Sequence, residues 1–164
     1  MTAELAEQLM DAVDMIAQQL NRIAPAVAQR KPSPDRWSIQ EVIGHLIDSA
    51  ANNHQRIVRA QQAKAITFPQ YDQRRWVEDQ HYNQAMWSDL VELWRFYNIH
   101  LAHIIRHIPD NVLSVQCTIG AQEPVTLLTL IEDYLVHMQY HLEKIVQRIG
   151  SPSPDGVPEA TSDE

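Results

Sequence analysis

TLLTLIEDYLVHMQYHLEKIVQRIG, residues 126–150, is the stretch from which the fold is read. Leu127, Leu130, Ile131, Tyr134, Leu135, Met138, Leu142, Ile145 and Ile149 recur at helical spacing, which predicts one long amphipathic closing helix. Thr126 suits its N-cap and Gly150 its C-terminal stop. His137 and His141 stand one turn apart on it, roughly 40° around the helix and about 6 Å along the axis. Two imidazoles so placed can converge on one metal ion. A third histidine from another helix would complete an open site of the catalytic kind.

Working outward, Leu5, Leu9, Val13, Ile16, Leu20 and Ile23 form one stripe of a first helix expected from about Thr2 or Ala3 to near Ala24, with Pro25 marking its end. Pro32 and Pro34 make the segment from Arg30 to Arg36 a loop. Ser38 and Glu41 are spaced as a capping box ahead of Val42, Ile43, Leu46, Ile47 and Ala50, so a second helix is expected from Ser38 to about Ala63. A third, with Ser88 as its cap, carries Leu90, Leu93, Trp94, Tyr97, Leu101, Ile104 and Ile105 up to Pro109. Between the second and third lies a long aromatic-rich connection from Ile66 to Gln84, with a short helical piece around Asp72 to Asp79. Val112, Val115, Cys117 and Ile119 come near alternation, so Asp110 to Glu123 is read as extended or as a short hairpin.

Composition narrows the class. The chain has 164 residues, 45% of them apolar, which is enough for one domain with a real core. Only four glycines, and prolines gathered mostly between the helical stretches, favour long helices over a sheet. A net charge of −8 with no compensating basic patch argues against nucleic acid as a partner. Residues 151–164 hold Asp155, Glu159, Asp163 and Glu164 with no lysine, arginine or aromatic side chain, and are read as an acidic, disordered tail. The single cysteine, Cys117, excludes an internal disulfide and reads as a small apolar filler. No apolar run is long enough to span a membrane, and Met1 to Ala17 has acidic residues where a signal peptide has basic ones, so the cytoplasm is the default compartment.

There are eight histidines, so presence alone selects none of them. Spacing of four occurs twice, at His103 and His107 as well as at His137 and His141. On a helical wheel His141 and His137 lie roughly 70° and 110° from the apolar centre, while the other pair points more toward water. On the second helix the wheel favours His54 as the buried histidine, one bonded to a backbone carbonyl. It puts His45 roughly 140° away, on a polar stripe with Ser49, Asn52 and Arg56.

The run WSIQEVIGHLID, Trp37 to Asp48, with HMQYH at His137 to His141, resembles the DinB-like family of four-helix metalloenzymes. The segment Phe68-Pro69-Gln70-Tyr71-Asp72-Gln73 with Trp76 is similar to one of its subgroups, and the likeness covers nearly all of residues 1–150. It implies an all-α four-helix bundle in which His45 joins His137 and His141 around a divalent ion such as zinc or nickel, against the wheel's preference for His54. Members similar to this chain include transferases that use bacillithiol, mycothiol or related low-molecular-weight thiols. The resemblance therefore implies a small-thiol S-transferase or a hydrolase acting on a small molecule, with coordination positions left for water or thiol.

Asp48 and Asn52, near His45 on its helix, and Asp133, one turn before His137, are candidates to orient a ligand or to act as acid or base. An exposed helix carboxylate is the plain alternative for the acids, and Trp94 and Tyr97 read as core. The competing functional reading is a non-enzymatic binding or stress-associated module with a structural or absent metal. A homodimer is expected in either case, because apolar residues on the second helix spread beyond one stripe.

Overall fold

Ser38 and Glu41 do close a capping box. Glu41 N donates to Ser38 Oγ at 3.0 Å, and Ser38 N donates to the Glu41 carboxylate at 2.8 Å. The computed structural model describes residues 1–150 of the chain; the stretch read as an acidic tail lies outside the described residues. In chain order the elements are α1 (Thr2–Leu20), α2 (Pro25–Gln29), α3 (Ile39–Ala60), β1 (Ala65–Phe68), α4 (Gln73–Asp79), α5 (Trp87–Arg106), β2 (Gln116–Ile119), β3 (Val125–Thr126) and α6 (Leu127–Gly150).

The four long helices α1, α3, α5 and α6 form the bundle. Helix α1 packs on α5 and α6, and α3 packs on the same two. Consecutive long helices α1 and α3 therefore face each other across the diagonal, and α3 is brought beside α6. Leu9, Val13 and Leu20 of α1, Trp94, Leu101 and Ile105 of α5, and Leu127, Ile131 and Ile145 of α6 are buried in one continuous core. Each such side chain removed from water contributes about 1.5–3 kcal/mol before chain entropy is set against it.

Several expected boundaries shift. Helix α1 ends at Leu20, and Pro25 opens the short α2 rather than closing α1, because a proline at the first helical position lacks only an N–H that would be unbonded anyway. Helix α3 stops at Ala60, short of the expected Ala63. Helix α5 starts at Trp87 with Met86 as N-cap, so Ser88 lies inside its first turn and bonds Asp89 instead. Thr126 caps α6 as expected, accepting from Thr129 N at 3.1 Å. Asp72 caps α4 by accepting from Arg75 N at 3.0 Å.

The all-α class holds with one small addition. β1 pairs in parallel with β2, Ala65 opposite Gln116 through Phe68 opposite Ile119, and β2 pairs antiparallel with β3. The extended reading of residues 116–119 is met, whereas β1 was read as part of a loop. Gly120, at φ 58°, takes the left-handed turn beyond β2 and donates from its N–H to Phe68 O at 2.8 Å. β3 runs straight into α6, so the sheet anchors the start of the helix that carries His137 and His141. Cys117 is fully buried in β2, and burial raises its thiol pKa, in keeping with an apolar filler. No helix among the described residues is long and apolar enough to cross a membrane.

Candidate metal centre

Helix α3 is covered on nearly every side through its first three turns. From Ile39 to Ala50 every residue except Glu41 is buried, including the polar Gln40, His45, Asp48 and Ser49. The cover on the polar side comes from the connection after α4. Tyr82 lies so close over Gly44 that a Cβ there would collide with its ring. Gln40 Nε2 donates to the carbonyls of Tyr82 and Ala85 at 2.6 and 2.7 Å.

This covering explains the failure of the wheel on α3. It assumes one buried stripe, whereas α3 is enclosed by α4, α5, α6 and the turn at Tyr82. His45 is 1% exposed. His54 is only half-buried; its Nδ1 pairs with the Tyr97 hydroxyl at 3.1 Å, not with a backbone carbonyl, and its ring stands against His100. His103 and His107 are exposed, as the wheel indicates.

The structure brings His45, His137 and His141 together. One nitrogen from each lies within 4.8 Å of the other two, and His45 Nε2 stands 3.1 Å from His137 Nε2. Ring centroids are 5.0 Å apart for His45 and His137, 4.9 Å for His45 and His141, and 4.7 Å for His137 and His141. Burial, with the neighbouring His137 and His141, lowers the His45 pKa to about 3. Burial and His137 lower that of His141 to about 4, and burial lowers that of His137. All three are therefore neutral near pH 7, the form in which imidazole binds a cation.

The donor set fits a divalent ion. Two imidazole nitrogens on one tetrahedral centre, each about 2.0–2.1 Å from the ion, stand about 3.3 Å apart. The His45 to His137 separation is close to that. The arrangement differs from many metal sites in one respect, since His45 Nδ1 is buried without a hydrogen-bond partner. Its ring packs against Trp37, centroids 5.0 Å apart, so packing rather than an acceptor orients it.

Asp48 is buried beside this cluster, but its bonds run elsewhere. Its Oδ1 accepts from Tyr82 Oη and from Gln80 Nε2, each at 2.7 Å, and Oδ2 has no partner. Burial raises its pKa, against the lowering effect of those two bonds. Asn52 donates back to Asp48 O at 2.9 Å, within its own helix. Asp133 is exposed on α6.

A cavity of about 250 Å³ adjoins the cluster, with His137 in its wall beside Asn53, Arg56, Tyr71, Leu130 and Tyr134. Burial, together with the Asp48 charge, pushes the Tyr71 hydroxyl up to about 12. The Tyr134 hydroxyl donates to Asn98 Oδ1. Sequence reading placed Arg56 on the polar stripe of α3 without assigning it to a site. The signal was its spacing from His45, about three full turns, which puts both on one face.

Comparison with known proteins agrees with this architecture. A search of curated protein sequences finds no match. In fold, the chain is similar to YfiT from Bacillus subtilis, described as a probable metal-dependent hydrolase with an unusual four-helix bundle topology. That match has a TM-score of 0.80 at 17% identity and covers 92% of this chain and 89% of that one. The family model for the DinB superfamily matches residues 5–145, nearly the whole bundle, so this chain belongs to the DinB superfamily.

Proposed function

We propose that this chain is a metal-dependent enzyme in which His45, His137 and His141 hold a divalent cation, zinc or nickel, beside which a small molecule reacts. The observation that carries the reading is the approach of three imidazole nitrogens, from two helices, to within 4.8 Å of one another at the wall of a cavity. Imidazole donors suit both metals, and three of them leave coordination positions free. A bound cation supplies Lewis acidity there, lowering the pKa of a water toward about 7 or keeping a thiol as thiolate. The chain's own groups do the rest. The histidines stay neutral because they are buried, and the Tyr71 hydroxyl, protonated near pH 7, offers a hydrogen bond within the cavity.

Hydrolysis is the first reading, supported by the fold shared with YfiT and by the description of that protein as a probable metal-dependent hydrolase. Transfer of a small thiol is the second, supported by the resemblance of the Trp37 to Asp48 and His137 to His141 motifs to thiol-dependent members of the family. Both use the same three histidines. Protein loaded with zinc or nickel is assayed on activated esters and on electrophiles, with and without a low-molecular-weight thiol. Ester turnover without thiol supports the hydrolase, and turnover that requires thiol supports the transferase. Activity unchanged by chelation and by His45→Ala removes the metal-dependent reading.

A further inference from the structure

The polar stripe of α3 does not end at the histidines. Arg56 lies eleven residues beyond His45, about three turns and about 16 Å along the same face. Helical side chains tilt toward the N-terminus, so this one leans back toward the histidine end. It is 9% exposed, and among the described residues it makes no hydrogen bond or ion pair. Its stem is packed away, while the guanidinium, without a partner among the described residues, stays open to the cavity. Its electrostatic neighbour is the Tyr71 hydroxyl, and burial lowers its pKa; an arginine side chain keeps its charge in proteins. Arg56 and His137 line the same cavity. The other charged group in the lining, Asp133, is exposed on α6 and forms no salt bridge with Arg56.

We propose that Arg56 is an oxyanion-binding residue, holding a carboxylate or phosphate at one end of the substrate while the other end reaches the three-histidine centre. A planar guanidinium matches either group with two parallel hydrogen bonds, and in a buried pocket such a pair is stronger than at the surface. Asn53 and the Tyr71 hydroxyl, in the same wall, add neutral polar groups beside it. The substrate class is a small anionic molecule, matched to a cavity of about 250 Å³. The assignment of its reacting end rests on the proposed metal-dependent function; the anion contact itself does not.

The test is a titration of the protein as purified with acetate, inorganic phosphate and neutral acetamide. It is followed by the Arg Nε–Hε nuclear magnetic resonance signals and by thermal unfolding. One of the two anions gives a saturable shift of a single arginine signal and raises the melting temperature, and acetamide does neither; which anion does so separates a carboxylate from a phosphate substrate. In Arg56→Gln the affinity falls at least about tenfold, or about 1.4 kcal/mol, and Arg56→Lys, which keeps the charge without the fork, falls between. Arg56→Gln also melts close to the wild type, because the charge it removes has no partner among the described residues; a residue kept only for structure would lower it. In His137→Ala the anion response persists. Persistence there alongside unchanged metal content sinks the metal reading and leaves the anion subsite. No saturable response to either anion in the wild type overturns the proposal. So does equal affinity in Arg56→Gln, or a response lost in His137→Ala but kept in Arg56→Gln.

Discussion

His45 Nε2 and His137 Nε2 stand 3.1 Å apart across the seam between α3 and α6. Two distant segments supply these nitrogens, and two features hold them in place. The capping box at Ser38 fixes where α3 begins, and the sheet leads directly into α6. The site is thus a product of the bundle, not of a local motif.

His45 and His54 share a helix and separate the two readings of α3. His45→Ala is expected to lose divalent-ion binding, because it removes one of the three clustered nitrogens. His54→Ala is expected to keep it, because His54 pairs with Tyr97 on another face. Isothermal titration of each variant with zinc gives the comparison; equal affinity in both would count against His45.

Gly44→Ala is expected to destabilise the protein. The new Cβ meets the Tyr82 ring, and overpacking of this kind costs about 1–3 kcal/mol. A denaturant series on Gly44→Ala, Tyr82→Ala and the double variant measures the coupling. The double variant is expected to be more stable than the sum of the single losses predicts.

Ser38→Ala removes the Oγ that accepts from Glu41 N and donates to Asn83 Oδ1 at 2.6 Å. Loss of such a cap costs about 0.5–2 kcal/mol, and this fully buried serine belongs at the upper end. The midpoint of urea unfolding should fall with no change in slope.

Asp48 gives the pH dependence. Its folded pKa is raised above the unfolded value of 3.8, chiefly by burial. The folded state therefore holds its proton more tightly, so stability from this group is present below pH 3.8 and is lost as pH rises through the folded pKa. Asp48→Asn keeps an oxygen to accept from Tyr82 and Gln80 but carries no charge. It is expected to be more stable than wild type at pH 7, through relief of the buried charge, with the advantage vanishing as the pH falls below 3.8. Unfolding curves of both proteins across that range check the sign. If the variant is less stable at pH 7, Asp48 has a stabilising partner that this account omits.

The long helices were legible because their apolar residues repeat at helical spacing and their caps have distinctive chemistry, as at Ser38 and Thr126. Strand β1 was not, because Ala65 to Phe68 is short and its pairing partner lies about fifty residues away. Pro25 misled because the same residue can follow one helix or open the next. His137 and His141 were legible as a pair from their spacing on the last helix, whereas His45 was legible only through the family resemblance. A wheel presumes a single buried face, and nothing in the local sequence of α3 says that Tyr82 will cover its polar side. Arg56 went unassigned for the same reason, since the cavity it lines exists only once α3 and α6 lie together.

Metal content of protein purified without a histidine tag tests the central claim most directly. By inductively coupled plasma mass spectrometry, the wild type should carry about one divalent ion per chain, as expected of a single three-histidine site. His137→Ala, folded by circular dichroism, should carry almost none. A His137→Ala protein that keeps the full wild-type complement, or a wild type that takes up no ion when zinc and nickel are supplied, would contradict the account.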